Sequence, residues 1–161
     1  QAPERVAGIG LLNTAYGTDN DERRAQREAT IRMAQSDSFR GVTRHLLKSF
    51  LSPAAMRDED LVARVIAMAE SVGKENFVLQ QQAIMGRRGQ ADTLRGLKVP
   101  ALVLCGSLDT LTPPRISEEM AQLAPDAELV MLQEVGHLST MEAPDAVTAS
   151  LNGFLERLRA G

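Results

Sequence analysis

Three apolar runs stand out from an otherwise amphipathic chain. Residues 6–13 (VAGIGLLN), 101–105 (ALVLC) and 127–132 (AELVML) are short and dominated by aliphatic side chains. Runs of this kind, without strict alternation, suit strands covered on both faces by helices, as in a parallel sheet. The stretch between the first two runs reads differently. From residue 21 to about 95 it is charged, carries helical periodicity and offers no convincing strand. Asp21-Glu22 open a helix predicted to end at Gln35, and a second is predicted from about Phe39 to Leu51, stopped by Ser52-Pro53. The clearest helix is predicted from Asp58 to Val72. Leu61, Val65, Met68 and Val72 share one face of it, Asp58 is its N-cap and Gly73 its stop. A fourth is expected from about Glu75 to Met85, ending at Gly86-Arg87-Arg88-Gly89.

After Pro100 strands and helices alternate. Gly106 closes the second strand, and Thr112-Pro113-Pro114 starts a helix to about Leu123, with Thr112 as cap and proline in the first turn, where its missing N–H is harmless. Ser139 and Glu142 have capping-box spacing, and Pro144 opens a last helix to about Arg159. The order predicts an α/β fold: a partial parallel sheet of three strands flanked by helices. The helical block is longer than a crossover needs. Residues 21–95 are therefore expected to form an inserted helical cap, with 1–20 and 96–161 as the core.

Composition excludes several classes. With 43% hydrophobic and 24% charged residues the chain is that of a soluble globular protein, and with 3% aromatics and no Trp its core must be aliphatic. Lys+Arg 18 against Asp+Glu 21 leaves a net charge of −3, and the arginines are interspersed with acids, so no nucleic-acid partner is expected. No run approaches the roughly 18 apolar residues of a membrane span. Cys105 is the only cysteine, which precludes an intramolecular disulfide and suits a reducing, cytoplasmic setting. The opening Gln1-Ala2-Pro3-Glu4-Arg5 has no initiator Met and reads like the middle of a longer protein.

Two polar clusters follow the second and third strands: Gly106-Ser107-Leu108-Asp109 and Val135-Gly136-His137. Loops at the carboxyl ends of adjacent parallel strands share one edge of the sheet, where ligands bind. Asp109 and His137 can therefore meet across 28 positions of sequence. An Asp beside a His holds the imidazole tautomer and stabilises the imidazolium, the supporting pair of a nucleophilic triad.

With these residues in place the chain resembles the α/β-hydrolase family. The resemblance is tight over Leu102-Val103-Leu104-Cys105-Gly106-Ser107-Leu108-Asp109, Thr112-Pro113, and Gly136-His137 with Glu142 and Pro144. It extends loosely to Pro3-Glu4-Arg5-Val6 and Leu11-Leu12-Asn13-Thr14. In that family the acid sits on a G-x-x-D turn, the base on a G-H turn after the next strand, and the order is Ser, Asp, His. The resemblance implies Asp109 as acid, His137 as base, no cofactor, and an ester, lactone or similar small molecule as substrate. It also implies a serine on a G-x-S-x-G elbow, and no such motif occurs in the chain. The first strand should then lack a neighbour, so the chain is expected to self-associate or to bind a companion N-terminal half.

Simpler roles compete for other residues. Cys105, inside an apolar strand, reads as a buried, inert thiol. Ser107 and Ser139 lie near the site but on no elbow, and Glu142 reads as a cap rather than a second acid. His45 is expected to face solvent, and Met33, Met56, Met68 and Met85 to pack the cap and pocket. No His/Cys/Asp/Glu group has zinc-ligand spacing. The competing function is a non-catalytic module that binds an apolar ligand or assembles with itself.

Overall fold

The computed structural model describes residues 3–35 and 44–160. Three strands, β1 (Ile9–Leu12), β2 (Ala101–Gly106) and β3 (Ala127–Leu132), form a parallel sheet in the order β1-β2-β3. The register sets Leu12 opposite Leu104 and Gly106 opposite Leu132. β2 is buried throughout, as a central parallel strand must be. β1 is shorter than its apolar run. Residues 3–5 form a 3-10 turn, and a Cβ on Gly8 would meet Leu158 and Phe154 of the last helix. At the other end Asn13, in the left-handed region at φ 43, turns the chain out of the sheet. Among the described residues β1 pairs only with β2, so it is half-buried rather than enclosed.

The helices are α1 (Asp21–Gln35), α2 (Arg44–Leu47), α3 (Glu59–Gly86), α4 (Ala91–Arg95), α5 (Pro114–Leu123), α6 (Ser139–Glu142) and α7 (Pro144–Ala160). α1 begins where its acidic pair predicts, with the Arg23 N–H donating to Asn20 Oδ1 as cap. The helix expected from about residue 39 lies outside the described residues before 44, as does the side chain of His45. Asp58 caps α3 by accepting from the Leu61 N–H at 3.0 Å. Gly73, at φ 73 and ψ 166, is non-helical and divides α3 where the sequence predicts, so the two expected helices meet there across a kink. Pro53 and the 3-10 turn at Ala55–Arg57 precede them. The short α4 is not evident from periodicity, being little more than one turn.

Two apolar clusters hold these elements. Leu47, Leu51, Leu61, Val62 and Val65 are buried together, with Leu138 and Met141 from the chain after β3 against them. Leu94, Val103 and Met120 form the second, under β2 and α5. The first cluster explains why the predicted α3 face is only half used. Leu61 and Val65 are buried, whereas Met68, a turn further on, is 48% exposed, and Met33 on α1 is 67% exposed. These two methionines do not pack as expected.

Candidate active site

β2 and β3 run parallel and in register, so the turns after them leave the sheet side by side. Their backbones touch. Ser107 N–H donates to Leu132 O at 2.8 Å and Leu108 N–H to Val135 O at 2.9 Å. A Cβ on Gly106 would collide with the carbonyl oxygens of Val135 and Gly136, so only glycine permits this approach. It brings Asp109 Oδ2 to 2.9 Å from His137 Nδ1. The two expected residues do meet.

The Asp109 carboxylate is buried and saturated with donors. Oδ1 accepts the N–H groups of Leu111 and Thr112, each at 2.9 Å. Oδ2 accepts from Asn13 Nδ2 at 2.9 Å and the Thr112 hydroxyl at 2.7 Å, besides His137. Burial alone pushes this carboxyl up. The bonds from His137, Asn13 and Thr112 outweigh it and bring the pKa down to about 2, from 3.8. Ionised, Asp109 can only accept, so Nδ1 of His137 must carry the proton and Nε2 keeps its lone pair. The imidazole is 22% exposed at the side chain, open enough to reach a reactant.

Sequence reasoning missed what orients this pair. Asn13, at the end of β1, shares the same sheet edge. Because its Nδ2 must face the acceptor-only Asp109, its Oδ1 faces Ser139, whose hydroxyl donates to it; Nδ2 also reaches Gly136 O at 3.3 Å. The topology argument that joined Asp109 to His137 extends to the residue leaving β1, and would have found Asn13. Thr112 is not the α5 cap: that position is Pro113, without a side-chain bond, and the Thr112 hydroxyl serves Asp109. Nor does the Ser139–Glu142 capping box form. The position before α6 is Leu138, Ser139 is drawn to Asn13, and Glu142 Oε2 accepts the N–H groups of Ser52 at 3.0 Å and Gly136 at 3.1 Å. Ser139 donates and Glu142 accepts away from the helix terminus, and Thr112 donates to the carboxylate three residues before it.

The helical stretch is tied to the base turn. Phe50 O accepts the N–H groups of His137 at 2.9 Å and Leu138 at 3.1 Å, and the Phe50 ring meets the imidazole edge-on at 6.3 Å. Beside it opens an apolar groove of about 480 Å³, lined by Lys48, Leu51, Pro53, Met56, Leu108 and Thr110. The other candidates behave as inert groups. Ser107 Oγ accepts the Glu134 N–H at 2.9 Å. Cys105 is fully buried, and burial pushes its thiol up, away from the reactive thiolate. Among the described residues no three His, Cys, Asp or Glu side chains gather as a metal would require, and no helix is long and apolar enough to cross a membrane.

The depressed Asp109 pKa has a signed consequence for stability. A carboxyl lowered from 3.8 to about 2 stabilises the fold above about pH 4, and this contribution disappears as pH falls through 2. The amount is about 2 kcal/mol. Urea midpoints between pH 5 and 2 are expected to fall more steeply for the native chain than for Asp109→Asn. Parallel curves would contradict the assignment.

A model of the family described as alpha/beta hydrolase fold matches residues 1–144. The chain is similar to pimeloyl-[acyl-carrier protein] methyl ester esterase of Vibrio cholerae, at 25% identity over 111 residues, covering 69% of the chain and 43% of that protein. Lipase 1 of Psychrobacter immobilis is 26% identical over 83 residues, 52% of the chain and 26% of the lipase. Among solved structures, a thermophilic esterase from Thermogutta terrifontis superposes with a TM-score of 0.90 at 24% identity, covering 98% of the chain and 58% of the esterase. The enol-lactonase of Burkholderia xenovorans superposes at 0.77 with 26% identity, covering 95% of the chain and 57% of the lactonase. The chain thus spans less than half of these two curated relatives and under three-fifths of the two structures.

Proposed function

The chain belongs to the α/β-hydrolase fold family, and from that premise we propose that it supplies the acid and base of a serine hydrolase acting on ester, lactone or related small substrates. The observation that carries the reading is the 2.9 Å contact between Asp109 Oδ2 and His137 Nδ1, with Asp109 held ionised. Nε2 is then the free basic position. It takes the proton of a serine as that oxygen attacks the substrate carbonyl, and returns it to the leaving alcohol. Asp109 stabilises the imidazolium formed in between. In the second half, water replaces the serine and the same base deprotonates it, releasing the acid. The similarity to an esterase, a lipase and an enol-lactonase supports this class of reaction.

The nucleophile and the oxyanion donors would come from an upstream half, whose strand would lie beside β1. That edge is the natural place, since among the described residues β1 has a hydrogen-bonded neighbour on one side only. Either this half or a second copy of the chain would cover it. Residues 21–95 would act as a cap, and the groove lined by Leu51, Met56 and Leu108 would receive the acyl group.

The test is hydrolysis of short-chain p-nitrophenyl esters, measured with the 161-residue chain alone and with a serine-bearing upstream half added. The chain alone is expected to give no turnover above its buffer blank, and the pair to hydrolyse. Turnover by the chain alone that vanishes in Ser107→Ala or Ser139→Ala would overturn the division of labour. Silence of the pair would favour a binding module.

A further inference from the structure

A second polar cavity, of about 140 Å³, lies between the loop leaving β1, the start of α1, the chain just past α3 and the first turns of α5. Three guanidinium groups line it, those of Arg23, Arg87 and Arg115, against one carboxylate, Glu119. This is an unusual concentration of cations for a chain whose net charge is −3.

Whether that charge is already neutralised depends on the partners of each group. Glu119 is fully engaged: Oε1 accepts from Arg115, and Oε2 from the Tyr16 hydroxyl at 3.0 Å. Asp19 belongs to Arg27, which donates to it from Nε at 2.5 Å and Nη2 at 3.4 Å. Arg87 comes no closer to Asp19 than 4.0 Å, and reaches Ala15 O only at 3.5 Å. Its Nε is buried without a hydrogen-bond partner among the described residues. Arg23 donates one side-chain bond, from Nη2 to Leu111 O at 3.3 Å. A guanidinium carries five N–H donors. Arg23 and Arg87 therefore line one cavity with few protein acceptors for their donors, and among the described residues no carboxylate stands at hydrogen-bonding distance from either.

A planar fork pairs best with two oxygens of a phosphate or a carboxylate. At about 140 Å³ the cavity has room for one such group. We propose that this cavity binds a small oxyanion, a phosphate or carboxylate group, held by Arg23 and Arg87 with Arg115 at its rim. The proposal does not rest on the hydrolase reading. Its walls are distinct from those of the Asp109–His137 pair, so either can fail without the other.

Calorimetric titration of the chain with inorganic phosphate, and separately with acetate, tests it at an ionic strength held constant with chloride. One saturable site per chain is expected for at least one of the two, with Kd of about 1 mM or tighter. Saturation by phosphate alone assigns the site to phosphate groups, and by acetate alone to carboxylates. Arg23→Gln and Arg87→Gln should each weaken binding at least tenfold (roughly, by the loss of a charge-assisted fork). Arg24→Gln should not, because Arg24 faces Glu28 and Met85 O. Arg87 also braces the loop at Ala15, so Arg23→Gln carries the test if Arg87→Gln folds poorly. No saturation by either anion, or equal weakening in Arg24→Gln, overturns the proposal.

Discussion

Asp109→Asn, in a protein completed by a serine-bearing half, is expected to lower kcat by about 10⁴-fold while KM changes little. The reason lies in the donors that surround this carboxylate. Oδ1 receives two backbone N–H groups that cannot turn away, so the oxygen of the substituted amide must stay there. The amide nitrogen then takes the place of Oδ2, facing His137 Nδ1, the Thr112 hydroxyl and Asn13 Nδ2. A donor opposite Nδ1 selects the imidazole tautomer with its proton on Nε2, and the base is lost. Thr112 can rotate its hydroxyl to accept. Asn13 cannot adapt without cost, because flipping its amide would break its bonds to Ser139 and Gly136. Steady-state kinetics, with circular dichroism to verify the fold, decide the matter. A kcat within tenfold of the native protein would remove Asp109 from the mechanism.

Gly106→Ala is expected to cost about 3 kcal/mol of stability, the upper end of the overpacking range. The added methyl would sit against the backbone of Val135, with its carbonyl carbon 2.7 Å away, and against the oxygen of Gly136. Side chains that crowd a new methyl can change rotamer. Here the obstacle is main chain, held by the bonds from Ser107 and Leu108 to the strand and turn beside it. The acid and base turns must part, so the Asp109–His137 contact is lost along with the packing. Gly153→Ala is the control. That glycine lies within α7, a Cβ there meets nothing within 4 Å, and the change should stabilise by about 0.5–1 kcal/mol. Urea unfolding of the two variants should therefore move in opposite directions. Equal midpoints would mean that the two turns yield more easily than their hydrogen bonds suggest.

Sequence alone determined the architecture and which two side chains, Asp109 and His137, meet at the sheet edge. Residues 101–105 and 127–132 are apolar over the length of a strand, and the helices between and after them are marked by proline at their starts. Parallel strands in sequence put their exit loops on one edge, which is why Asp109 and His137 can be paired from the order of elements. The open side of β1 is instead what the family resemblance implies, and among the described residues β1 pairs only with β2. Local patterns are legible because apolar periodicity and N-terminal prolines act within a few residues of themselves.

Tertiary structure decided everything that depended on competing partners. Ser139 and Glu142 each have a local role open to them as a cap, yet spend polar atoms on partners brought in by the fold, Asn13 and the backbone of Ser52 and Gly136. Thr112 gives its hydroxyl to the Asp109 carboxylate three residues before it. A cap position satisfies one exposed N–H, whereas the buried Asp109 carboxylate left without donors would be far more unfavourable, so Thr112 serves it. Gly73 illustrates the same limit for backbone. Its break is foreseeable from sequence, but the kink by which the second helix follows directly on the first is seen only in the structure. For Asn13 the order of elements places it on the shared sheet edge, but that its amide faces a carboxylate 96 positions away is set by the register of β1 on β2.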